Sequence, residues 1–297
     1  MSGVVEIRMV ERLSDLARKY DAILCDVWGV LIDGVRHFPD AADALRAFRL
    51  EGGGVALITN ASRPSAQVQR QLQRLGVPDD CYDAIVSAGE LTLKEIVARK
   101  AQACFHLGPP EDVGLFQAAE AVLGAPVRMA PPEAAEYVVC TGLVDDERET
   151  PEDYDARLEA LCARGLPMLC ANPDVVVGVG GRLRYCAGAL ARRYAAMGGT
   201  VKIFGKPETP IYDAAIAELD ELSVVALARE KVLAIGDGAE TDLLGAARAG
   251  IDCLFVTEGV HRDEIYGPDD RLDREALATL FSRIGANPAA LAPRVVW

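Results

Sequence analysis

The stretch AILCDVWGVLIDG, residues 22–34, begins with four consecutive apolar residues and then places a carboxylate at Asp26. A run that is apolar at every position, instead of every second one, is typical of a strand buried on both faces of a parallel sheet. Comparable runs follow along the chain: VALIT (55–59), VKIF (201–204), VLAI (232–235) and CLFVT (253–257). The opening stretch therefore predicts the first strand of a parallel sheet, with a polar residue at its carboxyl end.

Helical patterns separate these strands. Apolar residues at 41, 44, 45 and 48 have the spacing of one helix face and lie between Pro39 and a run of three glycines at 52–54. Similar faces occur within RPSAQVQRQLQRLG (63–76) and ETPIYDAAIAEL (208–219). Strands that alternate with helices predict an α/β fold, with a Rossmann-like doubly wound parallel sheet as its core.

The middle of the chain is also α/β but less regular. Apolar runs near 104–108, 136–142 and 167–178 predict strands, and helices are expected at 88–100, 111–123, 151–164 and 187–198. This segment is too long and too structured for a linker. We expect a core of residues 1–80 and 195–297, resuming at TVKIF, with an inserted α/β cap domain of residues 81–194. One larger sheet would show similar segments, so that alternative stays open.

Composition excludes several classes of function. The 297 residues carry a formal net charge of -14 with no run of Lys or Arg, which argues against nucleic-acid binding. No apolar run approaches a membrane span. The eight cysteines form no C-x-x-C motif and there are only three histidines, which leaves little for a zinc site. We expect a cytoplasmic protein that binds a small molecule and neither nucleic acid nor membrane; a homodimer stays open.

Polar residues at the ends of the predicted strands are the candidates for chemistry, because ligands of open parallel sheets bind outside the carboxyl ends of the strands. They are Asp26, Thr59, Asn60, Lys206 in GKPETP, and Asp237 and Asp242 in GDGAETD. Carboxylates that hold a hard cation, a lysine and a hydroxyl near a helix start are the groups that phosphoryl transfer requires. Each of these residues, taken alone, is typical of a turn or a helix cap. The prediction therefore depends on their occurring together, in this order, each at the end of a predicted strand.

That order resembles the haloacid dehalogenase superfamily of Mg-dependent phosphotransferases. The four motifs of that superfamily would be CDVWGVL, LITN, GKP and GDGAETD, and the likeness extends over nearly all of the chain. Within the superfamily, the chain resembles subfamily IIA, the p-nitrophenyl-phosphatase-like members with an α/β cap between the second and third motifs. This resemblance implies a phosphatase that acts on a small phosphorylated metabolite such as a nucleotide or a sugar phosphate.

The resemblance also assigns roles to individual residues. Asp26 would be the nucleophile and a ligand of Mg²⁺, and the backbone carbonyl of Trp28 a second ligand. Asp237 and Asp242 would complete the metal site. The phosphoryl oxygens would be held by Thr59, the Asn60 backbone and Lys206, which also counts as catalytic. In the cap, Asn172 and Asp174 of ANPD are candidates for contacting the substrate, with an ordinary turn as the alternative.

Position 28 departs from the family pattern, which has a second aspartate there as the general acid and base. Indole carries one N–H donor and does not titrate near neutrality, so Trp28 cannot take that role. The chain would then be slow on alkyl phosphates, act on leaving groups that need no proton, or use an acid from the following flap, for which Asp33 and His37 are the candidates. For both of these, a solvated loop position is the plainer interpretation.

Three functions remain open. The first is a Mg-dependent phosphatase that works through an aspartyl-phosphate at Asp26. The second is a low-turnover protein that binds a phosphate ester for regulation on the same scaffold. The third, a dehalogenase, is weaker, because dehalogenases of this superfamily use no metal and as a family carry a helical cap after the first motif.

Overall fold

The computed structural model describes residues 7–179, 182–222 and 226–297. The strands in these ranges are β1 (Ala22–Asp26), β2 (Gly54–Thr59), β3 (Ala84–Ser87), β4 (Cys104–Leu107), β5 (Tyr137–Cys140), β6 (Met168–Cys170), β7 (Val176–Val179), β8 (Arg182–Tyr185), β9 (Val201–Ile203), β10 (Val232–Gly236), β11 (Asp252–Val256) and β12 (Ala290–Ala292).

The α-helices in the same ranges are α1 (Ser14–Ala17), α2 (Pro39–Leu50), α3 (Ser65–Arg74), α4 (Ala88–Ala98), α5 (Gly114–Leu123), α6 (Asp155–Ala163), α7 (Ala187–Ala196), α8 (Thr209–Leu222), α9 (Leu244–Ala249), α10 (Arg262–Ile265) and α11 (Arg274–Ile284). A π-helical turn, Ala239–Leu243, leads into α9.

The chain folds as two compact units. Unit 1 contains the described residues up to Thr59, together with Arg70–Val86 and Pro207–Trp297, and unit 2 contains Asn60–Gln69 and Ser87–Lys206. Each unit has its own sheet, so each can be described by itself.

Unit 1 is built on a six-stranded sheet in the order β12-β11-β10-β1-β2-β3. The pairs from β12 through β2 are parallel, and β1 is completely buried from end to end. From β1 the chain moves outward through β2 and β3, and it later continues on the other side of β1 through β10, β11 and β12. This order is that of a doubly wound sheet, and it confirms the predicted α/β, Rossmann-like fold class.

Unit 2 contains a four-stranded parallel sheet in the order β4-β5-β6-β9, and β7 and β8 form a separate antiparallel pair. Successive residues of β5 enter two different hydrophobic cores: Val138 and Cys140 belong to one, and Tyr137 and Val139 to the other. The sheet is therefore covered on both faces, which explains why its two central strands, β5 and β6, are apolar at consecutive positions.

The strand predicted at 201–204 lies in a different sheet from the one expected. It was assigned to the core that resumes at residue 195, but β9 pairs with β6, Met168 with Val201 and Cys170 with Ile203, in unit 2. β9 contains Lys202 and is only partly buried at the edge of that sheet, and its sequence does not specify which strand lies beside it. In the other direction, residues 81–86, which were assigned to the cap, belong to unit 1, where β3 borders β2.

Two further features bear on the sequence analysis. All eight cysteines are free thiols, and seven of them are buried. Among the helices of the described ranges, none combines the length and the apolar character that crossing a bilayer requires.

Candidate functional site

An acidic cluster lies at the carboxyl edge of the unit 1 sheet. Asp26 is the last residue of β1, Asp237 directly follows β10, and Asp242 lies in the π-helical turn. One carboxylate oxygen from each lies within 4.8 Å of those of the other two, although the residues are only 6 %, 6 % and 2 % exposed. The structure thus brings together the three carboxylates that the sequence suggested as metal ligands.

The register of the sheet explains this arrangement. In the parallel pairs, Cys25 lies beside Ile235 of β10, and Asp26 lies beside Ile58 of β2. Asp237 follows two residues after Ile235, and Thr59, which is buried, follows Ile58 directly. Because parallel strands end at the same edge, Asp26 is flanked by the ends of both neighbouring strands.

Glycines approach the acidic cluster so closely that a side chain would not fit. A Cβ atom at Gly29 would lie 2.0 Å from Oδ2 of Asp237, and one at Gly259 would lie 2.2 Å from the same oxygen. A Cβ atom at Gly236 would lie 2.2 Å from Cγ of Asp242. Gly29 also has a φ of +82°, a backbone conformation that favours glycine even where a side chain would have room. The backbone therefore packs directly against the carboxylates.

Backbone N–H groups orient each carboxylate. Val27 N–H donates to Oδ1 of Asp26 at 2.7 Å, and Gly238 N–H donates to Oδ2 of Asp242 at 3.1 Å. Val260 N–H, from the loop after β11, donates to Oδ2 of Asp237 at 2.7 Å. Charge-assisted hydrogen bonds of this kind fix side-chain direction as well as adding stability.

A histidine holds the start of the π-helical turn that carries Asp242. Ala239 N–H donates to Nε2 of His261 at 3.1 Å, so that nitrogen is the acceptor of the ring. The other ring nitrogen, Nδ1, then carries the proton and donates to Glu264 at 3.1 Å. Single π-helical turns occur often at functional sites, and here the turn is tied to the loop after β11.

This donor set fits a hard divalent cation. Three carboxylates at this spacing would repel one another if no positive charge lay between them. Oxygen ligands from carboxylates are those that Mg²⁺ and Ca²⁺ prefer. The three residues come from two strand ends and a constrained turn, so their relative positions are set by the backbone.

The indole of Trp28 packs against the loop that follows β1. A Cβ atom at Gly34, whose φ is +84°, would lie 2.5 Å from Cζ3 of Trp28. The loop is compact, because the N–H groups of Leu31 and Ile32 both donate to the carbonyl of Val27. Trp28 therefore takes part in the packing of this flap, which is defined here as residues 28–37.

Asp33 and His37, the two candidate acids of the flap, are both engaged in loop structure. The Asp33 carboxylate accepts hydrogen bonds from the N–H groups of Val35 and Arg36 and from Nε of Arg36. Partial burial acts to raise the pKa of the Asp33 carboxyl, but these donors outweigh it and hold the pKa below its usual value. His37 Nδ1–H donates to the carbonyl of Leu75 at 2.8 Å.

Unit 2 holds the other four predicted residues, and hydrogen bonds join all four. The amide oxygen of Asn60 accepts from Lys206 N–H at 2.7 Å, and its Nδ2 donates to the Lys206 carbonyl at 3.1 Å. The same Nδ2 donates to Oδ1 of Asp174 at 2.8 Å. Asn172 accepts from Asp174 N–H at 3.1 Å. Asn60 and Lys206 are each 2 % exposed.

The predicted residues thus form two groups, one in each unit. The sequence analysis missed the loop after β11, whose Val260 and His261 support the acidic cluster. The signal was present: TEGVH (257–261) follows an apolar strand, and the rule that selected the other strand ends applies equally to this one.

Comparison with known proteins identifies the family. Residues 23–121 match the family model described as haloacid dehalogenase-like hydrolase, and residues 203–278 match a second model for HAD-like hydrolases. A crystal structure of a haloacid dehalogenase-like hydrolase from Brucella suis is 40% identical, with a TM-score of 0.84, and the match covers 97% of this chain and 100% of that chain.

Two curated relatives are more distant. The 5'-nucleotidase YutF of Bacillus subtilis is 25% identical over 89% of this chain and 97% of its own length. An acid sugar phosphatase of Staphylococcus epidermidis is 26% identical over 82% of this chain and 88% of its own length. The likeness to the Brucella protein spans nearly the whole of both chains, and the resemblance drawn from the four motifs is confirmed: the chain belongs to the haloacid dehalogenase-like hydrolase family.

Proposed function

We propose that this protein is a Mg²⁺-dependent phosphatase that hydrolyses a small phosphomonoester through an aspartyl-phosphate on Asp26. The observation that carries the proposal is the buried cluster of Asp26, Asp237 and Asp242 at the carboxyl edge of the sheet. The two curated relatives, one a 5'-nucleotidase and one a sugar phosphatase, support the same reaction class.

In the proposed reaction, a carboxylate oxygen of Asp26 attacks phosphorus, an O–P bond forms and the bond to the leaving alcohol breaks. Water then hydrolyses the aspartyl-phosphate and releases inorganic phosphate. Val27 N–H, which donates to Oδ1, orients the Asp26 carboxylate for attack. Thr59, the Asn60 backbone and Lys206 hold the phosphoryl oxygens.

Asp26, the Trp28 carbonyl, Asp237 and Asp242 would hold the metal. When bound, Mg²⁺ offsets the negative charge of the phosphoryl group and of the carboxylates. The hydrogen bonds from Gly238 and Val260 keep Asp242 and Asp237 in position for this role.

Protonation of the leaving group is the step for which the site is poorly equipped. Trp28 has no group that titrates near neutrality, and the hydrogen bonds to Asp33 that lower its pKa make it a weaker acid catalyst at neutral pH. General acid–base catalysis contributes about 10² to 10⁴-fold in rate. We therefore expect slow turnover of alkyl phosphates and faster turnover of esters with good leaving groups.

We assign unit 2 the role of the cap that selects the substrate. Asn172 follows β6 at the carboxyl end of that strand, and ligands of parallel sheets bind at such ends, which supports Asn172 as a contact to the substrate. A sugar phosphate or a nucleotide is the expected substrate class, in keeping with the reactions of the two relatives.

A panel of sugar phosphates, nucleotides and an aryl phosphate, assayed with Mg²⁺ and with a chelator, tests the proposal. We expect Mg²⁺-dependent phosphate release that Asp26→Asn abolishes, because an amide cannot act as the nucleophile. If no member of the panel, the aryl phosphate included, is hydrolysed above the Asp26→Asn background, the phosphatase proposal is rejected.

Trp28 favours one alternative, a phosphate-ester binding protein with little turnover. In that case Mg²⁺-dependent binding of a phosphorylated metabolite would be measured by calorimetry without phosphate release. An assay of halide release from a haloacid tests the dehalogenase alternative, because that reaction would require neither Mg²⁺ nor the intact pair of Asp237 and Asp242.

A further inference from the structure

We infer that the side chain of Asn60, held by Asp174, positions Lys206 and does not serve as a contact to the substrate. This inference rests on the proposed function, in which Lys206 holds the phosphoryl group. It assigns Asp174 a role different from that of a specificity residue.

The first observation is that the side-chain amide of Asn60 forms hydrogen bonds with both the N–H and the carbonyl of Lys206. Asn60 accepts from the N–H of Lys206 at 2.7 Å and donates to its carbonyl at 3.1 Å. These two bonds fix the peptide groups before and after the Lys206 Cα atom. The direction in which the lysine side chain leaves the backbone is therefore set by Asn60.

The second observation concerns the glycine before Lys206. A Cβ atom at Gly205 would lie 2.2 Å from Oδ1 of Asn60 and 2.7 Å from Cγ of Pro173. The Asn60 amide thus occupies the space that a side chain at position 205 would need. Any other residue there would displace Asn60 or Pro173, so glycine at 205 is a condition of this arrangement.

The third observation is the place of Asp174. Its Oδ1 accepts from the Asn60 Nδ2 at 2.8 Å, and its own N–H is held by Asn172. Behind it, a Cβ atom at Gly188 would lie 2.1 Å from the carbonyl oxygen of Pro173 and 2.5 Å from that of Asp174. The segment 172–174 is thereby pressed against α7, and the Asp174 carboxylate is directed at Asn60.

These contacts form a clamp, defined here as Asn60, Asp174 and the backbone of Gly205 and Lys206. Its parts come from the segment after β2, the segment after β6 and the segment after β9. Within the clamp, Asp174 accepts one N–H···O hydrogen bond from Asn60, and an amide oxygen at position 174 can accept the same bond.

That requirement gives the test. Asp174→Asn retains an amide oxygen that can accept from Asn60, whereas Asp174→Ala removes the acceptor. We expect Asp174→Ala to lower kcat about 10- to 100-fold, which is the scale of rate loss when a catalytic group is misplaced by about 1 Å. The loss should be the same for every phosphomonoester of the panel, and Asp174→Asn should restore most of it.

Two further measurements separate positioning from other roles. Binding of inorganic phosphate in the presence of Mg²⁺, measured by calorimetry, should weaken in Asp174→Ala and recover in Asp174→Asn. Asp153→Ala is the matched control, because Asp153 also accepts hydrogen bonds within unit 2, from Thr150, but lies outside the clamp. It should leave both turnover and phosphate binding unchanged, and thermal melts report whether each variant is folded.

The inference is overturned if folded Asp174→Ala has the kcat and the phosphate affinity of wild type. It is also overturned if Asp174→Asn and Asp174→Ala lose activity equally and the change in KM differs between substrates with different leaving groups. The latter would make Asp174 a substrate contact whose charge matters. Wild-type protein that neither hydrolyses a phosphomonoester nor binds phosphate would instead reject the proposed function, and the clamp with it.

Discussion

Trp28 is the residue at which the site departs from the pattern of its own motifs. The carboxylates of Asp26, Asp237 and Asp242 lie together, whereas the position two residues after Asp26 carries an indole that packs against Gly34. A substitution there therefore changes two properties at once, the chemistry of the side chain and the packing of the flap. An experiment at this position has to separate them.

We expect Trp28→Asp to raise turnover of alkyl phosphates more than that of aryl phosphates, because only the poor leaving groups need a proton. The gain on alkyl phosphates has an upper range of about 10² to 10⁴-fold. Trp28→Asn is the matched control, since it removes the indole in the same way but supplies no acid. Equal gains in both variants would assign the effect to the flap and not to proton transfer.

A second prediction concerns Gly259. Gly259→Ala would place a methyl group 2.2 Å from Oδ2 of Asp237 and so displace that carboxylate. We expect weaker Mg²⁺ binding by calorimetry and a higher Mg²⁺ concentration for half-maximal activity. Gly54→Ala is the control, because a Cβ there meets only Leu219, at an ordinary 3.5 Å. Unchanged Mg²⁺ affinity in Gly259→Ala would contradict the close packing seen at the cluster.

Asp26, Thr59 and Asp237 were accessible to sequence analysis because each lies at, or directly after, the carboxyl end of a strand whose preceding residues are apolar. At these three positions, a polar residue at the end of an apolar run is the signal in the sequence. The supporting residues carry no such signal: Val260 acts through its N–H group, which every residue type except proline can provide, and Gly259 acts through the absence of a side chain. Their role depends on the distance between two loops, and that distance appears only in the folded chain.

Among the elements, the π-helical turn Ala239–Leu243 carries the most specific structural requirement. Its first N–H, at Ala239, which is fully buried, has Nε2 of His261 as an acceptor. This hydrogen bond links the turn to the loop after β11, and Asp242 lies inside the turn.

His261→Phe should remove the acceptor while keeping a ring of similar shape. An unsatisfied buried N–H costs about 1–3 kcal/mol, so we expect the free energy of unfolding in urea to fall by that amount. Mg²⁺ affinity should fall as well, because Asp242 loses its fixed position. His261→Gln provides an acceptor oxygen again and should recover part of both losses; if it recovers neither, the ring itself is what matters.

Helices and strands were predictable where burial gave them a clear pattern. The expected helices at 88–100 and 187–198 correspond to α4 (Ala88–Ala98) and α7 (Ala187–Ala196). The sheet membership of β9 was not predictable, because this three-residue strand carries Lys202 between two apolar residues and its pairing with β6 depends on contacts distant in sequence. Hydrophobic pattern encodes burial, whereas pairing is decided by the rest of the fold.

At the scale of the whole molecule, negative charge is the dominant property. The chain has a formal net charge of -14, and three of its carboxylates are buried together. Repulsion within that cluster opposes folding when no cation is bound, and a cation that binds only the folded state stabilises it. Stability and metal binding should therefore be linked.

Asp242→Asn tests that linkage with effects of opposite sign. In a chelator, we expect the variant to melt at a temperature equal to or above that of wild type, because one of three like charges is gone. In excess Mg²⁺, wild type should gain stability, about 2.7 kcal/mol at 100 times the Kd, and the variant should gain much less.

Asp43→Asn serves as the control for the linkage, since it removes one negative charge from an exposed residue of the same unit that pairs with Arg46. It should melt as wild type in chelator and show the full response to Mg²⁺. A variant Asp242→Asn that responds to Mg²⁺ as strongly as wild type would place the cation elsewhere.

The packing of Trp28 on Gly34 also provides an intrinsic optical reporter of the flap. Trp28 and Trp297 are the two tryptophans of the chain, so Trp297→Phe leaves the flap indole as the only strong fluorophore. Because that indole lies two residues from Asp26, its emission should shift when Mg²⁺ or inorganic phosphate is titrated, without any substrate being turned over. A stopped-flow trace of the same signal would then give the rate at which the flap responds to ligand.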